Sequence, residues 1–517
     1  MLALLAALLA LSPAELRRSA APGLAAIRPE AIAAHVRFLA DDLLEGRRSG
    51  ERGHAIAERY VAAQLEALGL RPAGERQGWL QEVRLRELRA DPARSSLSID
   101  GAPPLRPFED YLPGADATRT EVDLEAPLVF VGYGIQAPEL GYDDTAGVDL
   151  AGKIAVWLQG APGEPFPALA KAVYTDNAVK WAALARRGAI GVISLLTPER
   201  LQIQPFDRAA RVARRGTVVS AEAPPMPPVV SVPPQLADAL LAKANTSLAE
   251  QLERARQGKL RAFDLGARAR VRLVSTAREI ISHNVLGVLP ATGPGEEVVA
   301  ISAHLDHLGV GDPVEGDPIY NGAVDDATGI AEILEMARAL AAQPQRKRAV
   351  LFLAVTGEEL GLHGSAHFMR HPTVPLRSVV ANLNLDQLLP AYPVGELVLR
   401  GAELSTLEDH VRAAAAELGI SIVADPVPEQ SFFSRSDQLN FARIGVPSAC
   451  LWQGFSGARG ETAFKDFRSN RYHQPADEWI PALDWDAAAQ MARAELLVGI
   501  SLLRGPRPKW RPDSPFH

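Results

Sequence analysis

The run Val350-Leu351-Phe352-Leu353-Ala354-Val355 is apolar without interruption. Such a run fits a strand buried on both faces of a helix-covered sheet, not one with a wet side. From Arg270 onward the same texture recurs. Strands are expected at 271–274, 285–289, 298–303, 349–355, 379–385, 397–400 and 448–452, and helices at 327–342, 364–370, 404–418 and 485–503. Strands alternating with helices of this length indicate a three-layer α/β domain.

Upstream the texture differs. Helices are expected at 29–44, with Ile32, His35, Val36, Leu39 and Leu43 along one side, and at 53–68, stopped by Gly69. Residues 111–265 carry strand-like runs at 128–131, 153–158 and 190–196, with one helix at 176–187 and loops rich in Pro and Gly. The prolines between Ala223 and Pro234 exclude a long helix there. This segment reads as an inserted, β-rich module. The expected division is 25–110 for the N-terminal part of the main domain, 111–265 for the insert, 266–505 for the catalytic part and 506–517 for a tail.

The first residues, MLALLAALLALSPA, form an apolar stretch shorter than the roughly 20 residues a membrane-spanning helix needs. It ends in the small-x-small pattern Ser12-Pro13-Ala14, so residues 1–14 are expected to be a signal peptide and the mature chain to be exported, periplasmic or extracellular, without stable membrane insertion. A buried N-terminal helix is the alternative. Cys450 is the single cysteine, which rules out an intrachain disulfide and any thiolate-rich metal site. The net charge of −8 is spread along the chain and argues against nucleic acid as a partner.

Several short segments place His, Asp or Glu directly after an apolar run or at a helix entry: His304-Leu305-Asp306-His307, Val324-Asp325-Asp326, Gly357-Glu358-Glu359, Leu385-Asp386 and Tyr472-His473. In open α/β sheets ligands bind outside the carboxyl ends of the strands, and 298–303, 349–355 and 379–385 would converge there. One such residue alone is most often a surface carboxylate or a satisfied core histidine. Agreement among several strand ends points to a metal centre, and imidazole with carboxylate suits zinc when thiolates are absent. A two-metal centre needs a bridging carboxylate, and Asp325 stands just before a helix. Two Zn²⁺ with Asp325, Glu359, Asp386 and one hydroxide sum to zero charge, which avoids burying uncompensated charge. Glu358 and Glu359 are adjacent and point to opposite sides of an extended chain, so one can bind metal while the other faces the attacking water.

Together these pieces resemble the M28 family of zinc-dependent peptidases over roughly residues 285–479. The motifs are HLDH at 304–307, NGAVDDATG at 321–329, GEELGLHGS at 357–365, NLD at 384–386, SRSDQLNFARIGVPS at 434–448 and YHQPAD at 472–477. The resemblance implies a zinc-peptidase domain with a mostly parallel mixed sheet and two Zn²⁺ per chain. It implies His304 and Asp386 on one zinc, Glu359 and His473 on the other, and Asp325 bridging. It further implies Glu358 as general base, Asp306 as the carboxylate orienting His304, and a cis peptide between Asp325 and Asp326. LADDLLEGRRSGERG at 39–53 is similar to the lead-in of the family's larger exported members. GVDLAGKIAVWLQG at 147–160 and ARRGAIGVISLL at 185–196 resemble a protease-associated (PA) domain.

The implied activity is removal of N-terminal residues from peptide or protein substrates by a metal-bridging water that Glu358 activates. Other two-zinc hydrolases of this fold, namely a carboxypeptidase, dipeptidase or N-acyl-amino-acid hydrolase, stay open, as does a non-catalytic peptidase-like ectodomain. Oligomeric state is not legible. His307 reads as a supporting residue beside His304, and His363 and His367 as packing or surface residues. Asp437 reads as either site wall or loop cap, and Asp477 as either orienting His473 or capping. Phe432-Phe433 reads as core or pocket wall, and Arg435 as a contact for a substrate carboxylate.

Overall fold

The computed structural model describes residues 13–116, 118–163, 166, 171, 173–223, 226–227, 229–343, 345–386 and 388–516. Residues 1–12 of the expected leader lie outside that range, and Pro13 opens a helix, Pro13–Ala26. The chain forms two compact units, one from residues 1–83 and 281–517, the other from 84–280.

In the first unit the sheet is ordered by the apolar runs. Residues 285–289 of the strand Phe263–Leu289 pair antiparallel with Arg71–Pro72 on one side and with Ala349–Val355 on the other. Val298–His304, Val379–Asn384 and Ser448–Cys450 then follow in parallel. Alternate side chains of the central strand serve two different cores. Val350, Phe352 and Ala354 pack with the helices Pro29–Leu39, Thr328–Ala341, Leu407–Leu418 and Trp485–Arg504. Leu351, Leu353 and Val355 pack with Phe368, Met369 and Phe441 from the helices His363–Arg370 and Gln438–Arg443. Both faces are therefore covered, and the unit is the expected three-layer α/β arrangement with a mixed, mostly parallel sheet.

The expected helix 29–44 ends at Leu39; a 3-10 segment, Asp42–Arg47, follows, with Glu45, Gly46 and Arg47 at positive φ. The expected helix 53–68 is Arg52–Ala67.

The second unit has its own sheet. Val229–Val232, Gly191–Leu195, Ile154–Leu158 and Glu121–Phe130 run parallel in that order. Residues 263–274 continue it antiparallel, followed by Ser96–Ile99. Its core includes Phe130, Val156, Ile193, Val230 and Leu273. The unit starts at Arg84 and ends at Ile280, where the sequence suggests 111 and 265. The difference arises because 96–99 and 266–274 are strands of this sheet, so their hydrogen bonds assign them here. Helices beyond the expected one, such as Pro198–Ile203, Phe206–Arg214, Pro234–Leu241 and Leu248–Arg256, are too short to give a clear helical period.

Candidate metal centre

The carboxyl ends of three parallel strands set the site. His304 is the last residue of Val298–His304, Glu358 and Glu359 follow Ala349–Val355, and Asp386 follows Val379–Asn384. Asp325 enters from the turn before the helix Thr328–Ala341, with a cis peptide between Asp325 and Asp326. His473 arrives from a loop, in left-handed backbone at φ 56°.

These side chains meet. His304 Nδ1 donates to the Asp306 carbonyl at 3.0 Å, which turns Nε2 toward Asp325 Oδ1 at 3.1 Å and Asp386 Oδ1 at 3.8 Å. His473 Nε2 lies 3.3 Å from Asp325 Oδ2 and 3.1 Å from Glu359 Oε2. Asp325 thus offers one oxygen to each of two histidines. His307 is fully buried, with Nδ1 2.7 Å from Glu359 Oε1, and belongs to this cluster more intimately than its sequence context suggests. Close as they are, these two atoms lack the alignment of a hydrogen bond, and Asp386 Oδ1 is also buried without a hydrogen-bond partner. Buried orphan acceptors are rare in folded proteins, and a bound cation would satisfy them. Ligand atoms of His304, Asp326 and Asp386, and of His307, Asp325 and Glu359, lie within 4.8 Å of one another in each group.

Several residues hold this set from behind. Asp477 accepts from the backbone N–H of Val324 at 3.0 Å and of Asp325 at 3.0 Å. It neither orients His473 nor caps a helix; it fixes the loop that carries Asp325. Asp326 accepts from the N–H of His304 at 3.2 Å and of Gly329 at 3.0 Å. A Cβ on Gly329 would lie 2.4 Å from the Leu385 carbonyl and 2.5 Å from the Asp326 carboxylate. Gly322, at φ +63°, would place one 2.2 Å from the Asp325 carbonyl and 2.4 Å from the His307 ring.

The role expected for Asp306 changes. Its backbone carbonyl, not its carboxylate, receives His304 Nδ1, while Oδ1 accepts the Glu358 N–H at 3.1 Å. Asp437 forms no side-chain cap on its helix; it accepts from the Ser365 hydroxyl and stands in the field of His304 and Asp386.

Arg47 carries no expected role. Its guanidinium, 1% exposed, donates to the carbonyls of Leu39, Leu305, Asn321 and Gly322, gripping the HLDH and NGAVDD segments together. Burial pulls it down to about 10, while Asp326, Asp477, Asp306 and Asp325 hold its charge on. The only sequence signal is its place in the LADDLLEGRRSGERG lead-in.

In the field of the protein's own charges the two glutamates diverge. Burial raises Glu358 well above the ordinary carboxylate range; His304 opposes this, and Asp386, Glu359 and Asp437 reinforce it. For Glu359 burial is outweighed by His473 and His307, which hold it at about 2. One glutamate's carboxyl is thus pulled down and its neighbour's pushed up.

Residues 284–498 match Peptidase family M28. This part of the chain is an M28 domain. The similar curated proteins include the probable lipoprotein aminopeptidase LpqL of Mycobacterium tuberculosis, 27% identical over 226 residues, covering 40% of this chain and 43% of that protein. Aminopeptidase YwaD of Bacillus subtilis is 28% identical over 173 residues, covering 32% of this chain and 35% of that one. The match therefore spans less than half the length of either relative. Among solved structures, an aminopeptidase from Aneurinibacillus sp. strain AM-1 has a TM-score of 0.56 at 19% identity, covering 95% of this chain and 98% of that one, a likeness of fold. In the M28 domain all of His304, Asp325, Glu359 and Asp386, together with Glu358 and His473, fall inside the matched residues. No helix among the described residues is long and apolar enough to cross a membrane.

Proposed function

We propose that the protein is a zinc-dependent aminopeptidase, with one Zn²⁺ held by His304 and Asp386, a second by Glu359 and His473, and Asp325 shared between them. The observation that carries this reading is Asp325, whose two oxygens lie 3.1 and 3.3 Å from the Nε2 atoms of different histidines. Imidazole and carboxylate without thiolate suit zinc, and the orphaned oxygens of Asp386 and Glu359 fit ligands of a cation. The aminopeptidase names of the relatives support the N-terminal direction of cleavage.

When bound, zinc supplies Lewis acidity toward the scissile carbonyl and lowers the pKa of water. The chain's own residues do the rest. Glu358 takes the proton of the attacking water and returns it to the departing amine. Asp306 fixes the backbone of that base through the Glu358 N–H. His307 steadies Glu359, and Asp477 steadies Asp325. The reading includes a peptide or protein substrate, export after removal of a leader at residues 1–14, and a PA-like identity for the insert.

The test pairs Glu358→Gln with metal analysis. The variant is expected to keep its zinc while kcat falls by about 10²–10⁴-fold, the usual contribution of a general base. Unblocked peptides are expected to be cleaved and their N-acetylated counterparts spared. Turnover surviving in the variant would overturn the role of Glu358, and equal cleavage of acetylated peptide would move the reading to another two-zinc hydrolase.

A further inference from the structure

Beside the metal centre lies a group of arginines that the chemistry above does not use. Arg400 follows the short strand Glu396–Val398, and its carbonyl accepts the Cys450 N–H at 3.1 Å. Cys450 pairs in turn with Asn384, two residues before Asp386. The Arg400 guanidinium carbon lies 3.8 Å from the Trp452 ring centre and 4.1 Å from that of Phe432. Arg435 and Arg468 approach the same Phe432 ring, at 5.4 and 5.5 Å. Arg468 also stacks on Tyr472 at 3.8 Å, and Tyr472 stacks on His473 with ring centres 3.8 Å apart. The group therefore abuts Asp386 at one end and His473 at the other.

Cation–π contact accounts for where these guanidiniums sit, but not for their hydrogens. Arg400 is 7% exposed, yet its Nε and Nη2 are buried with no hydrogen-bond partner. The Asp425 carboxylate stands 3.7 Å from that Nε, beyond hydrogen-bond reach. Arg468 Nη1 is likewise buried and without a partner. Arg435 Nη2 donates to the Tyr472 hydroxyl at 3.3 Å, which holds it over the same ring. Burial pulls the Arg400 guanidinium down to about 10, with Cys450, Asp425 and Asp386 opposing that pull and Arg435 adding to it. Three cations crowd one phenyl ring, and the buried N–H groups of Arg400 and Arg468 need an acceptor.

We propose that Arg400, Arg435 and Arg468 form an anion subsite of the peptidase site that receives a carboxylate of the substrate. A planar fork of N–H donors matches a carboxylate, and the flanking rings of Phe432 and Trp452 fix the fork in place. The proposal rests on the peptidase reading, because a carboxylate is the anion a peptide brings. Two sources share this chemistry: the C-terminal carboxylate of a short peptide and an acidic side chain.

The test is calorimetric titration of the zinc-loaded Glu358→Gln protein with Leu-Leu, Leu-Leu-amide and Leu-Asp-amide. Leu-Leu or Leu-Asp-amide is expected to bind at least about tenfold more tightly than Leu-Leu-amide. Tight binding of Leu-Leu alone assigns the C-terminal carboxylate; tight binding of Leu-Asp-amide assigns the side chain. In the background of Glu358→Gln, the added pair Arg435→Gln and Arg468→Gln is expected to erase that difference and leave Leu-Leu-amide unchanged. Arg435 is exposed and Arg468 half-buried, so the pair avoids the folding risk of Arg400→Met. With Glu358 intact, the same pair is expected to raise KM for the anionic substrate at unchanged kcat. Equal binding of all three peptides, or no binding of any, overturns the subsite. Failure of the unaltered protein to cleave Leu-Leu-amide would instead count against the peptidase reading itself.

Discussion

Asp477 shows how a residue can govern the site without standing in it. Its carboxylate takes the N–H groups of Val324 and Asp325, and Asp477→Ala leaves both buried donors without an acceptor. We expect metal affinity to fall by about 10–100-fold, as for other groups that orient a ligand; a chelator competition giving unaltered affinity would count against this. Arg47 is the corresponding cation. Arg47→Met removes the donor from the carbonyls of Leu39, Leu305, Asn321 and Gly322. Breaking a buried charge network of this kind costs about 3–5 kcal/mol, which urea denaturation would register. The proposed ligands are legible in the sequence because they stand at strand ends and in recognisable motifs. Arg47, the hold of Asp477 on the Asp325 loop and the backbone role of Asp306 are not. Each depends on a side chain or carbonyl reaching a segment distant in sequence, and spacing carries no record of that.

Among the elements, the apolar strands are the most legible, since an unbroken apolar run leaves neither side of a strand for water. Phe263–Leu289 reads as two strands in the sequence but is one, because the polar stretch between Ser275 and His283 interrupts the hydrophobic pattern without interrupting the extended backbone. The helices Thr328–Ala341 and Trp485–Arg504 carry a feature that periodicity hides. Glu332 and Glu495 are 2% and 3% exposed, their carboxyls interact, and each leaves one oxygen buried with no hydrogen-bond partner, so a proton shared between them would satisfy both. Burial raises Glu495 from 4.5 to about 8 and raises Glu332 well above its ordinary value. A carboxyl raised on folding contributes stability that is complete below its unfolded value and lost as pH rises toward its folded one. Between about pH 4.5 and 8 the chain should therefore lose stability through this pair. Glu495→Gln is expected to flatten that slope in urea titrations at pH 5 and pH 8; an unchanged slope would contradict the shared proton.

For the whole molecule, the division into two compact units places every proposed metal ligand in the unit built from residues 1–83 and 281–517. Ligands stabilise the state they bind, so removing metal should loosen that unit selectively. Hydrogen exchange read by mass spectrometry is expected to rise on chelation in residues 298–329, 355–386 and 472–477, while the strands Ile154–Leu158 and Gly191–Leu195 keep their protection. Equal loosening of both units would contradict that separation. The shared position of Asp325 between two metals remains the centre of the functional reading. Anomalous X-ray scattering at the zinc edge, from crystals of the zinc-loaded protein, tests it most directly. Two peaks are expected, one beside His304 and Asp386 and one beside Glu359 and His473, with Asp325 between them; a single peak, or none at Asp325, would contradict it.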